Sequence, residues 1–113
     1  MEINIQLFGG RGASSGIYSK YSYKNLPKNP EDLIRNGWKD ITDKRNQSQS
    51  RDFYNPKTND RVRFDKGQKG KTGYKGKDHY HWYNQKSESK NDYYLDKNGN
   101  PVPKQHKNSH LLP

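Results

Sequence analysis

Core material in this chain is scarce and mostly aromatic. Leu, Ile, Val and Phe together make up about a seventh of the residues, below the roughly one-fifth at which disorder competes with folding. Against this stand nine tyrosines, three phenylalanines and two tryptophans. Each buried aromatic ring removes about 150–250 Å² from water. At 113 residues the chain can therefore build one small domain around aromatic side chains, with part of its length outside any core. No apolar run reaches the roughly 18–20 residues of a membrane span, and no signal peptide is visible. The absence of cysteine excludes disulfides, thiolate metal sites and a thiol nucleophile.

Alternation and turn residues divide the chain. Ile3, Ile5 and Leu7 alternate with polar residues and suggest a short strand, followed by a flexible Gly/Ser run over 9–16. Residues 1–28 are expected to be a flexible basic arm, and 29–113 a single domain. The clearest helix signal runs from Asn29 to Gly37. Asn29 suits the N-cap, Pro30 the first helical position, Glu31 and Asp32 the positive helix end, and Gly37 the left-handed closing position. Leu33, Ile34 and Trp38 are expected to pin this helix to a sheet. Strands are expected at 38–42, 52–54, 61–65, 79–84 and 92–96, with a proline-bounded edge at 101–103. Lys97-Asn98-Gly99-Asn100 reads as a tight hairpin turn. Residues 66–77 read as a mobile basic loop. The expected fold class is α+β: a meandering antiparallel sheet of four to five strands with one short helix.

The formal net charge of +10 favours a polyanionic partner, either nucleic acid or an acidic or nucleoprotein target. The stretch from Gly76 to Asn84, as a strand, puts His79, His81 and Tyr83 on one face and Tyr80 and Trp82 on the other. Val62, Phe64, Tyr93 and Leu95 join the second face. Arg61, Arg63, Asp65, Asp92, Tyr94 and Asp96 join the first.

Metal-independent cleavage of RNA needs a base for the 2′-OH, an acid for the leaving oxygen and cations for the phosphoryl charge. Histidine suits the first two tasks and arginine the third. The expected catalytic set is His79, His81, Arg63 and Tyr83, with Asp78 or Asp92 available to orient an imidazole. Arg61, Lys66, Lys69, Lys71, Lys75 and Lys77 are expected to hold nucleic acid. This reading uses no metal and no cofactor. A metal reading competes with it, because His79-x-His81 and His106-x-x-x-His110 have the spacing of imidazole ligands. Asp65, Asp92 and Asp96 are candidate magnesium ligands, though pairing with neighbouring cations is their commoner role. A charge-only binder would tolerate loss of the histidines and show steep salt dependence.

Two segments carry a resemblance. Ile3-Asn4-Ile5-Gln6-Leu7-Phe8-Gly9-Gly10-Arg11-Gly12-Ala13-Ser14-Ser15-Gly16 resembles a segment of MuF-type minor head proteins of tailed phages. Asn55–Thr58, Arg61–Gly67, Gly76–Asn84, Asp92–Lys104 and Ser109–His110 together are similar to a small C-terminal module of such head proteins and of polymorphic toxins. The resemblance implies a phage or prophage origin and a nuclease-like or toxin-like effector in the host bacterial cytoplasm, or associated with the virion. It implies no particular catalytic set. The readings it leaves beside a nuclease are a non-enzymatic inhibitor of a host defence nucleoprotein and an accessory of the phage head proteins. None involves a membrane.

Overall fold

Six strands lie in the order of the sequence, each antiparallel to the one before it. They are β1 (Lys39–Asp40), β2 (Ser50–Tyr54), β3 (Arg61–Asp65), β4 (His79–Tyr83), β5 (Tyr94–Leu95) and β6 (Pro101–Val102). The computed structural model describes residues 21–46 and 50–113. The strand expected near the N-terminus and the Gly/Ser run lie outside the described residues. The class is the expected small α+β fold. The strand count is six rather than four to five, because three two-residue pieces are long enough to pair. Pro101 begins the outermost of these, where a missing donor costs nothing.

The short helix α1 (Glu31–Arg35) forms inside the expected span. The Asn29 side chain accepts a hydrogen bond from the Glu31 N–H at 3.0 Å. At the other end Gly37 adopts φ 96°. Trp38 N–H donates to the Leu33 carbonyl and Gly37 N–H to the Ile34 carbonyl, at 3.0 and 3.1 Å. This pair of bonds closes a helix through a left-handed residue. Leu33 is fully buried, whereas Ile34, expected beside it in the core, is exposed. A helix of barely more than one turn can present only one side chain to the sheet.

The register sorts the two faces. Val62 pairs with Trp82 and Phe64 with Tyr80, while Arg63 pairs with His81 and Asp65 with His79. Cross-strand partners share a face, so the apolar and polar sets separate as the alternation predicts. Leu33, Trp38, Phe53, Val62, Phe64, Tyr80 and Trp82 form the core. Its rings meet edge-on: Trp82 lies 4.6 Å from Tyr23 and 5.8 Å from Trp38 between centroids. Leu26 and Pro27 are buried, and the Tyr80 hydroxyl donates to the Pro27 carbonyl at 2.6 Å. The segment read as an arm thus packs on the sheet in its described part, 21–28. Tyr93 was expected on the apolar face beside Leu95. It follows a 3₁₀ turn at Lys90–Asp92 with helical backbone, so the strand begins at Tyr94, two residues later than expected.

One contact at the far end of the chain sets up the site. Tyr80 and Leu111 exchange both backbone hydrogen bonds at 2.8 Å. Leu111 thereby fills the core face. Its neighbour His110 falls opposite His81, on the polar face.

Candidate functional site

Three imidazoles converge on the polar face. Strand β4 supplies His79 and His81, and the tail supplies His110. Ring centroids lie 5.0 Å apart for His79–His81, 4.9 Å for His79–His110 and 4.8 Å for His81–His110. One nitrogen of each ring lies within 4.8 Å of the others. His79 and His81 are only 6% and 4% exposed. Aromatic rings wall the cluster, with Tyr74 stacked on His110 at 4.4 Å and Tyr94 stacked on His81 at 4.6 Å.

Local hydrogen bonds orient two of the rings. The Nδ1 of His79 faces the Lys77 carbonyl at 2.9 Å, and the Nδ1 of His110 faces the Lys107 carbonyl at 3.0 Å. A carbonyl only accepts, so each Nδ1 carries the hydrogen and each Nε2 is left for other work. His81 differs, because its buried Nδ1 has no partner among the described residues.

Asp65 is the negative charge of the cluster. Arg63 grips it with a fork, Nε to Oδ1 at 3.0 Å and Nη2 to Oδ2 at 2.7 Å. The same Oδ2 lies 3.4 Å from His79 Nε2 and 3.5 Å from His81 Nε2. Burial pushes the Asp65 carboxyl up, but the contacts with His79, His81 and Arg63 outweigh it and hold the group well below the usual carboxylate range. For His79, burial acts downward and is overcome by Asp65 and the Lys77 carbonyl, so its pKa rises. For His81, burial prevails over Asp65, with Arg63 and His79 adding to it, and the pKa falls. Burial also lowers His110.

A cavity of about 500 Å³ opens over the cluster, and Lys66, Lys75 and Lys104 stand in its wall with Arg63. The basic stretch that supplies Lys66 and Lys75, expected to be a mobile loop, is hydrogen-bonded across its neck. Asp78 Oδ1 accepts from Gly67 N–H at 2.7 Å, and Gln68 N–H donates to the Lys75 carbonyl at 2.7 Å. A Cβ on Gly76 would stand 2.2 Å from the Lys71 carbonyl oxygen. Gly76→Ala is therefore expected to push the neck apart and lower stability by about 1–2 kcal/mol in a chemical denaturation series, the usual scale of overpacking.

Of the expected catalytic residues, His79, His81 and Arg63 line the cleft and Tyr83 does not. The Tyr83 hydroxyl donates to Asp52 at 3.2 Å, and Arg61 lies over its ring at 4.4 Å, so both are occupied on the strand beyond the cleft. Of the expected phosphate-binding lysines, Lys66 and Lys75 line the cavity, whereas Lys69, Lys71 and Lys77 do not. Asp78 and Asp92, expected to orient an imidazole, are engaged by backbone N–H groups of Gly67 and of Glu88 and Ser89. Asp65 has that role instead. Asp96 holds the 96–100 turn by accepting from Asn98 and Asn100 N–H groups. His106 accepts from Asn108 N–H at 3.0 Å and takes no part in the cluster. Sequence reasoning missed His110 as a partner of the strand histidines under acid–base chemistry, and it missed Lys104 altogether. The one available signal was parity: an apolar Leu111 facing the core turns His110 to the other side.

Compared with family models, curated proteins and solved structures, the chain finds no match. The chemical reading therefore rests on the site itself. Imidazoles able to exchange protons, a carboxylate held by Arg63 and a lysine-lined cleft form an arrangement suited to an anionic ligand and to acid–base chemistry.

Proposed function

We propose that the protein is a phage- or prophage-encoded, nuclease-like effector that cleaves RNA in the cleft over His79, His81 and His110, within the cytoplasm of the bacterial host. The observation that carries this reading is the meeting of three imidazoles with three lysines around one cavity. Lys66, Lys75 and Lys104 neutralise the phosphodiester. RNA is the favoured substrate because its 2′-OH is an internal nucleophile already beside the phosphorus. Among the described residues no helix is long and apolar enough to cross a membrane.

The residue roles differ from a simple base and acid pair at His79 and His81. In-line displacement separates the attacking and leaving oxygens across phosphorus. Two nitrogens bonded to those oxygens would stand roughly 6 Å or more apart. The one nitrogen per ring that lies within 4.8 Å of the others addresses one side of the phosphorus. There an imidazole takes the 2′-OH proton as that oxygen attacks, and the 5′-oxygen leaves with a proton from water in the open cleft. Arg63 gives its fork to Asp65 and acts as a positioning residue, keeping the carboxylate against His79 and His81.

The test is incubation of the purified protein with end-labelled RNA and DNA of the same sequence. RNA cleaved and DNA left intact is the expected result. Neither cleaved, with both bound in a steeply salt-dependent way, would replace the enzyme with a charge-only binder. Co-purification with capsid or portal protein and no cleavage would point to a head accessory.

A further inference from the structure

We propose that His79, His81 and His110 bind one divalent transition-metal ion of the zinc type, leaving a coordination position open toward the lysine-lined cleft. The metal site stands without the ribonuclease reading; only the occupant of the open position, a phosphate oxygen, rests on it.

The spacing suits one ion. Imidazole nitrogens around a tetrahedral zinc, at bonds of about 2.0–2.1 Å, lie about 3.4 Å from each other. Here they lie within 4.8 Å before any ion draws them in. The rings are tilted, with planes 59–89° apart, so they form a propeller around a common point rather than a stack.

The orientation suits it too. Metal-bound histidines nearly always donate their second ring N–H to a carbonyl or carboxylate, which fixes the ring and aims the lone pair. His79 and His110 have that contact at Lys77 and Lys107. His81 turns its Nε2 to Asp65 and keeps a buried Nδ1 with no partner among the described residues. A buried polar nitrogen without a partner is costly unless something binds it.

One contact inside the cluster also favours a cation. The separations of 3.4 and 3.5 Å between Asp65 Oδ2 and the two Nε2 atoms exceed ordinary hydrogen bonds of 2.7–3.2 Å. The His79 Nε2 is a lone-pair atom whenever its ring is neutral, since Nδ1 holds the hydrogen. A positive ion beside His79 Nε2 and Asp65 relieves that one facing pair. Asp65 is the counter-charge rather than a ligand, because Arg63 already occupies both of its oxygens.

Ligand type selects the metal. Imidazole suits zinc, cobalt, nickel and copper, whereas magnesium and calcium prefer oxygen. Three protein ligands with a free position is the arrangement of catalytic rather than structural zinc. Such an ion would polarise a phosphate oxygen held by the lysines.

The test uses tag-free full-length protein stripped with EDTA, without nucleic acid. Zn²⁺ is titrated against a chromophoric chelator, and Co²⁺ uptake is followed by its visible absorption. One equivalent per chain and a four-coordinate cobalt spectrum are expected. His110→Ala should weaken zinc binding by about 100-fold or more, while His106→Gln binds as the unaltered protein does. His110 is at the half-buried edge of the cluster, so its variant should fold, and circular dichroism verifies this. His79→Gln is the second variant and should weaken binding likewise.

No uptake, or uptake that neither His110→Ala nor His79→Gln weakens, would overturn the metal site. An equal loss in His106→Gln would also overturn it, by locating the ion in the tail. RNA cleavage by a protein that takes up no metal would remove the metal and keep the ribonuclease. Stoichiometric uptake with no cleavage would do the reverse.

Discussion

His110→Ala should reduce RNA cleavage by about 100-fold or more while leaving RNA affinity and the fold nearly unchanged. The size follows from the loss of a positioned reacting group, which typically costs 10²–10⁴ in rate. The selectivity follows from where the residue sits. His110 is half-buried, and the ring contacts it would lose are those with Tyr74, His79 and His81. Ring pairs of this kind are worth about 0.5–1.5 kcal/mol each, so the variant should still fold, with its unfolding midpoint lowered by several degrees. Lys66, Lys75 and Lys104 remain, so a filter-binding or anisotropy titration should give an affinity close to the original. A charge-only binder would show no change in either assay. A purely structural His110 would lower the midpoint and affinity together.

Asp65→Asn should destabilise the metal-free protein by about 3 kcal/mol near neutral pH. Among the described residues the carboxylate is the one negative partner in the fork of Arg63, whose side chain is 33% exposed. Removing one member of a buried ion pair typically costs 3–5 kcal/mol, and partial exposure brings this to the lower end. The effect should depend on pH with a definite sign. Asp65 titrates in the folded protein well below its ordinary range. An unfolded aspartate titrates at about 3.9. The stability that the carboxylate supplies is thus complete above about pH 5 and declines as pH falls below the unfolded value. Denaturation series at pH 4, 3 and 2.5 in EDTA, below the range in which the imidazoles titrate, should show the gap between the two proteins narrowing as pH falls. A gap that stays constant or widens over that interval would mean that Asp65 is not held ionised by this cluster.

The parts of this molecule written in local pattern were legible before the structure. The alternation of Arg61-Val62-Arg63-Phe64-Asp65 and His79-Tyr80-His81-Trp82-Tyr83 assigned both faces of the central hairpin, because a period of two admits only one burial of Val62, Phe64, Tyr80 and Trp82. Gly37 marked the helix end because its backbone conformation is strained for other residues. The site was only half legible for the same reason. His79 and His81 share a strand face and declare themselves, but His110 reaches them through a single bridge at Tyr80–Leu111. A pairing of one residue leaves no periodic signal. Tyr83 shows the converse limit. It shares the face of the histidines, yet its hydroxyl is taken by Asp52 two strands away. Alternation gives the side of a sheet but not the position along it. Asp65 was read as a generic partner for cations, and only its distances to two imidazoles give it a specific role.

The central claim is that three imidazoles and the lysine-lined cleft form one site for a phosphodiester. Nitrogen-detected chemical shifts of the histidine rings test it most directly, in EDTA and with an uncleavable 2′-O-methyl dinucleotide as titrant. The account predicts that His79, His81 and His110 shift together along one saturating curve, while His106 stays at its starting position. Shifts of all four rings in proportion, or of none while RNA still binds, would contradict it and move the nucleic acid to the outer lysines.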